Sequence, residues 1–277
     1  MSATTTQATR APTVAELEAE LRRAHSQIAA LEQLLAVHEQ SSLEQSMQLE
    51  QSNKDLDQFA YVASHDLKAP LRGIANLTQW IEEDLGDKVV GETREHMSLL
   101  KGRVHRMEAL IDGILLYSRA GRVRETTTQV DVDGLLAETI ELLAPPAPAT
   151  ISVESPMPVL LTERVPLQQI FMNLLGNALK YGERADVQVT VRVADEGERV
   201  RFAIADNGPG IAPQFQERIW QIFQTLSARD KVEGTGIGLS VVRKLVESRS
   251  GTAWVESAPG KGSTFYFTWP KRPRTNQ

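Results

Sequence analysis

The sequence predicts a chain in two parts. A mostly α N-terminal part comprises a coiled coil and a helical hairpin that dimerises into a four-helix bundle. An α+β sandwich follows. Three observations carry this reading. From Leu17 to Ile114, seam positions recur at alternating spacings of four and three, apolar on either side of a polar middle. A glycine-flanked break at 86–91 interrupts that pattern once. Beyond residue 129, short β-type runs alternate irregularly with helical runs, the signature of one mixed sheet with helices on one face.

The chain has 277 residues, 41% hydrophobic and 24% charged, an ordinary globular balance with room for one or two cores. It has no cysteine, which excludes disulfides, thiol catalysis and thiolate-bound zinc. The net charge of −6 makes nucleic acid and anionic lipid poor partners. No apolar run approaches the roughly 18 residues of a membrane span, and the Thr-rich start is not a secretory signal. A cytoplasmic protein without a membrane span is expected.

Residues 1–13 are polar and read as a disordered tail. Residues 14–53 read as a coiled-coil signal helix. Leu17, Leu21, Ala24, Ile28, Leu31 and Leu35 form its heptad seam. The seam turns polar at His38, Ser42, Gln45 and Ser52, and residues 1–53 carry seven Glu against three Arg. Such a middle sets oligomer state or lets the helix shift register, and the first is commoner.

Residues 54–122 read as the helical hairpin. Leu67, Leu71, Ile74, Thr78, Ile81 and Leu85 form one seam; Met97, Leu100, Val104, Met107, Ile111 and Ile114 form the other. One hairpin has too little core to stand alone, so a homodimer is expected. Arg119, Arg122 and Arg124 at its end suit a helix C-terminus. Residues 120–129 read as a linker, and 127–270 as the sandwich: helices over 130–143, 166–181 and 237–248, strands over 151–154, 159–162, 187–193, 200–205, 253–257 and 264–269. Asp195-Glu196-Gly197 marks a β-hairpin. Residues 271–277 read as a tail.

Four segments carry chemistry. On the helix over 166–181, Leu167, Phe171, Leu174 and Ala178 form the buried stripe, and Asn173, Asn177 and Lys180 a polar stripe beside it. Amide oxygens are hard ligands suited to Mg²⁺, and lysine suits phosphate; a merely solvated face explains the stripe equally well. Ala205-Asp206-Asn207-Gly208-Pro209-Gly210-Ile211 closes a strand, with two glycines permitting close backbone approach. A plain turn is the bland alternative, but no strand follows at once. Glu233-Gly234-Thr235-Gly236-Ile237-Gly238-Leu239 leads into an apolar helix, where exposed backbone N–H groups make an anion site. Finally, in Ser64-His65-Asp66-Leu67-Lys68-Ala69-Pro70-Leu71, His65 lies about 200° round the helix from the apolar seam, with Gln58, Lys68 and Arg72. Pro70 predicts a bend over 66–70.

In this order the four segments resemble the H, N, G1 and G2 boxes of the sensor histidine kinases of two-component systems. The likeness extends to Ile222-Phe223 and to Val255-Glu256-Ser257 with Pro259-Gly260-Lys261-Gly262-Ser263-Thr264-Phe265. Ser64–Arg72 is similar to the phosphoacceptor segment of phytochrome-type kinases. The resemblance implies a dimerisation and phosphotransfer domain over 54–122, then an ATP-binding domain of the kind shared with type II topoisomerases and mismatch-repair ATPases.

It further implies that His65 accepts phosphate from ATP and Asp66 assists it. Asn177 would hold Mg²⁺ and Asn173 would be a polar partner. Lys180 would meet phosphate, and Asp206 would accept from the adenine amino group. Gly208, Gly210, Gly234, Gly236 and Gly238 would line nucleotide and lid, with Tyr181, Thr235, Leu239 and Ser263 beside them. Arg229 would be a mobile phosphate contact. The implied partners are a response regulator, a second copy of the chain and an unidentified upstream sensor or signal. One position departs from the pattern. Many members carry Thr or Asn four residues after the histidine to orient a water; here Ala69 stands there. A kinase-dominant enzyme with weak phosphatase activity is expected.

Overall fold

The computed structural model describes residues 14–88, 90–121, 126–154, 156–182, 184, 186–226 and 234–273. The expected tail over 1–13 and the lid position Arg229 lie outside them, as do Arg122 and Arg124. The chain divides into two units, Met1–Leu56 and Asp57–Gln277. Helix α1, Val14–Leu85, begins in the first and ends in the second.

In the first unit Leu17, Leu21, Ile28, Leu31 and Leu35 are each 51% to 59% exposed. An unpartnered leucine stripe is what half a coiled coil presents. In the second unit α1 passes unbroken through Pro70, and Gly86–Lys88 forms a single 3₁₀ turn. Helix α2, Gly91–Arg119, then returns antiparallel, with Lys68 bonded to Asp112 and Lys101 to Glu82 across the pair. The hairpin's own core is small: Leu71, Val104 and Ile111 are buried with Ala75 against them. Thr78 is buried because its hydroxyl donates to the Ile74 carbonyl at 2.8 Å.

The remaining elements are β1 (Thr128–Asp131), α3 (Val132–Leu143), β2 (Thr150–Val153), β3 (Val159–Thr162), α4 (Arg164–Tyr181), β4 (Gln188–Glu196), β5 (Arg199–Asp206), α5 (Gly238–Glu247), β6 (Ala253–Ser257) and β7 (Ser263–Pro270). The main sheet has the order β2-β4-β5-β7-β6, with β2 parallel to β4 and every other pair antiparallel. Burial alternates strictly along β7, so one face of the sheet is covered. Phe202 and Phe267 stack at 5.0 Å on that face, and Phe171 of α4 meets both edge-on. The stripe of Leu167, Phe171, Leu174 and Ala178 is buried as its spacing predicts.

Two expectations need correction. The linker does not extend to residue 129, and no helix starts at Val130. Thr128–Asp131 is a strand paired with β3, and Val130 is buried opposite Leu160. A four-residue strand carries too little alternation to be legible, and its partner lies 30 residues on. The chain also stays tied past residue 270. The Lys271 amide donates to the Glu198 carbonyl at 3.0 Å and its ammonium to Asp195 at 2.7 Å. Lys68, on the polar face it shares with His65, reaches across to Asp112.

Candidate nucleotide and phosphoacceptor sites

β5 ends at Asp206, where the chain turns sharply out of the sheet. The Asp206 carboxylate closes the turn: its Oδ1 accepts from the Gly208 amide at 2.9 Å and the Ser263 amide at 3.2 Å. Burial pushes its pKa up, and those two hydrogen bonds oppose the shift. Oδ1 is thus committed to the fold, and Oδ2 is free to accept from a ligand.

Two glycines make the turn sterically possible. A Cβ at Gly210 would stand 2.0 Å from the Ala258 carbonyl oxygen, and one at Gly262 would stand 2.0 Å from that of Asp206. Both residues have positive φ. Ser257, part of the motif quoted above, and Gln216, which sequence reasoning missed, stitch the same corner. Ser257 Oγ accepts from the Ile211 amide at 2.7 Å, while Gln216 donates to the Ile211 and Ser257 carbonyls. Ser257 was visible as part of a motif; Gln216 gave no periodic signal.

A cavity of about 770 Å³ opens between α4, the Asp206 turn and the start of α5. Asn173, Asn177, Lys180, Tyr181, Asp206, Gly210, Gly234, Thr235, Gly236, Gly238, Leu239 and Ser263 all line it. Every predicted site residue of this part is therefore gathered, except two. Gly208 does not line the cavity but holds Asp206, and Arg229 lies outside the described residues. The Asn173 amide is turned back, donating to the Gln169 carbonyl at 2.8 Å. Its oxygen lies where a Cβ on Gly238 would come within 2.6 Å, so Asn173 and the first turn of α5 are in close packing. Asn177, one turn on, lines the cavity. The Tyr181 hydroxyl sits against Gly234, and burial raises its pKa while Arg106 of α2 opposes this.

The residues fit a nucleotide with its metal. A half-buried carboxylate suits a base amino group, and glycine N–H groups before α5 suit phosphates. Among the described residues no cluster of three His, Asp or Glu is present. The amide oxygen of Asn177 alone suits Mg²⁺, which keeps its waters and shares the phosphates.

His65 stands elsewhere, on α1. Its side chain is 69% exposed, and Nδ1 lies 3.3 Å from Asp66 Oδ1. A proton placed on Nδ1 by that contact leaves the Nε2 lone pair free. Ala69, one turn on, is exposed and offers no hydrogen-bonding group.

Residues 55–122 match the profile of the His Kinase A (phospho-acceptor) domain, and residues 162–273 match that of the Histidine kinase-, DNA gyrase B-, and HSP90-like ATPase. The chain belongs to the sensor histidine kinases. Cyanobacterial phytochrome B of Nostoc sp. (strain PCC 7120) is 38% identical over 228 residues, covering 80% of this chain and 30% of its own. Phytochrome-like protein Cph1 of Synechocystis sp. is 38% identical over 226 residues, with the same coverage of both chains. The chain thus spans about a third of the length of these relatives. Among solved structures, full-length ShkA in complex with AMPPNP has a TM-score of 0.60 and 31% identity, over 78% of this chain and 46% of that one. No helix among the described residues is long and apolar enough to cross a membrane.

Proposed function

We propose that this histidine kinase phosphorylates itself on His65 from Mg·ATP and passes the phosphoryl group to an aspartate of a response regulator. The observation that carries the reading is the exposed His65 imidazole with Asp66 at 3.3 Å on Nδ1, in one chain with the Asn177–Asp206 cavity. Nε2 attacks the γ-phosphorus. The N–P bond forms as the bond to the β–γ bridging oxygen breaks, and ADP leaves. The imidazole then carries an extra positive charge, which Asp66 relieves by taking the Nδ1 proton.

The cavity does the rest by position and charge, which is what phosphoryl transfer requires. Asp206 Oδ2 accepts from the adenine amino group. Asn177 holds Mg²⁺, which neutralises phosphate charge. Lys180 and the glycine amides of 234–238 hold the phosphates. Gly208 and Ser263 position Asp206. The exposed N–P bond is then open to a partner's carboxylate.

The enzyme works as a homodimer in the cytoplasm, receiving its signal through the coiled coil from an upstream sensor. It runs mainly in the kinase direction, because Ala69 orients no water. Incubation of purified protein with γ-labelled ATP tests the reading. Acid-labile, base-stable label that requires Mg²⁺ is expected, and label surviving acid would identify a different acceptor residue.

A further inference from the structure

We propose that α2 is a wall of the nucleotide site, so that nucleotide binding and docking of the ATPase domain on α2 strengthen each other, with Lys244 as the positioning residue that fastens the two. The inference rests on the cavity being a nucleotide site, as argued above. Gly113 and Leu116 of α2 line that cavity together with residues of the ATPase domain. α2 and its exit meet α5 and its capping residues at three successive points.

At the first, a Cβ on Gly113 would stand 2.6 Å from Ile237 Cδ1, so the α2 backbone lies directly on that side chain. At the second, Lys244 Nζ donates to the Tyr117 carbonyl at 2.6 Å and stands 4.3 Å above the Tyr117 ring. It also donates to the Ser118 carbonyl at 3.4 Å. At the third, a Cβ on Gly121 would stand 2.6 Å from Ser248 Cβ. The points at 113, 117 and 121 are four residues apart, the last just past the end of α2, and on the other side they fall at 237, 244 and 248, on α5 and the residues that cap its two ends.

Tyr117 and Ser118 lie in the last turn of α2, where carbonyls have no helical partner and a cation is favoured. Lys244 supplies both needs from the other domain. Ile237 is 1% exposed and immediately precedes Gly238, the first residue of α5. It belongs to the 234–238 segment, whose residues all line the cavity. Docking pins Ile237 against Gly113 and so holds the amides of that segment in place for a triphosphate. A triphosphate that orders the segment in turn presents Ile237 for docking. Such coupling is reciprocal by thermodynamic necessity.

The test uses the full chain and calorimetric titration with AMPPNP. Lys244→Met and Gly113→Val should each weaken binding about fivefold or more. Lys244→Arg keeps the cation on the carbonyls and should stay within about twofold of wild type. AMPPNP should also slow amide exchange over residues 110–120 in the wild type and not in Lys244→Met. Should Gly113→Val fail to fold, Lys244→Met and the exchange measurement still decide. Equal AMPPNP affinity in wild type and Lys244→Met, with exchange on α2 indifferent to nucleotide, overturns the inference. Wild-type protein that binds no AMPPNP at all overturns instead the reading of the cavity on which it rests.

Discussion

Asp206 and Ser263 are separated by 57 residues, yet the Ser263 amide donates to Asp206 Oδ1 at 3.2 Å. The bond joins the exit of β5 to the entry of β7, strands that pair along their whole length. It leaves one oxygen of a half-buried carboxylate for a ligand. Asp206→Asn keeps an oxygen to accept from Gly208 and Ser263 but turns the other arm into a donor. Affinity for ATP should fall by about tenfold or more, the scale of one lost charged hydrogen bond, and the preference for adenine over guanine should shrink. Competition titrations with ATP and GTP measure both.

The same carboxyl makes a pH prediction. Its folded pKa is raised above the ordinary 3.8, chiefly by burial. Relative to an uncharged side chain it costs nothing below that ordinary value. The cost appears as pH rises from there through the raised folded value, and is constant above it. Thermal unfolding across that window should show wild type losing stability relative to Asp206→Asn, with the gap flat at neutral pH. A gap that instead widens as pH falls would contradict the direction of the shift.

His65→Gln should abolish the acid-labile label while AMPPNP affinity stays within about twofold, because the residue is remote from the fold's core and 69% exposed. Asp66→Asn should slow labelling by roughly a hundredfold, the lower range for a positioned proton acceptor. Single-turnover labelling separates the two.

Gly210 and Gly262 tolerate no side chain. Each would drive a Cβ to 2.0 Å from a carbonyl oxygen, at φ of +74° and +75° respectively. Gly210→Ala should cost on the order of 3 kcal/mol of stability, combining overpacking with backbone strain. Gly260 also has positive φ but open space around it, so Gly260→Ala should cost about 1 kcal/mol. Urea unfolding of the two variants ranks them.

The hairpin leaves Leu67, Ile81 and Met107 47% to 55% exposed, while its buried apolar cluster among the described residues is Leu71, Val104 and Ile111. Light scattering of the whole chain should therefore report a dimer, and Ile74→Asp with Ile81→Asp a shift toward monomer. Direction of flux follows from Ala69. With the regulator phosphorylated by a small-molecule donor, wild type plus ADP should barely hasten its decay, and Ala69→Thr should hasten it. Strong acceleration that persists in a His65→Val control, which cannot take the phosphoryl group back, would assign the water to another group.

Much was determined locally and is legible in the sequence. The heptad spacings dictate α1 and α2, because a helix buries whatever recurs every three and four residues. The stripe of Leu167, Phe171, Leu174 and Ala178 dictates which face of α4 meets the sheet and hence that Asn177 lines the opening beside it. Asp206 and the glycines following it announced a close approach of backbone, and Ala258 is what approaches Gly210. Tertiary structure alone decided three things. Thr128–Asp131 is a strand only because β3 offers it hydrogen bonds. Lys68 faces Asp112 and not the solvent because the opposite helix places a carboxylate within its reach. At the end of α2 the Tyr117 carbonyl is met by Lys244, 127 residues away, while Arg119 stacks over Tyr61. Periodicity reports which face of an element is buried. It carries no information about which distant polar group will meet an unpaired carbonyl, since that depends on chain path, and only the folded chain sets it.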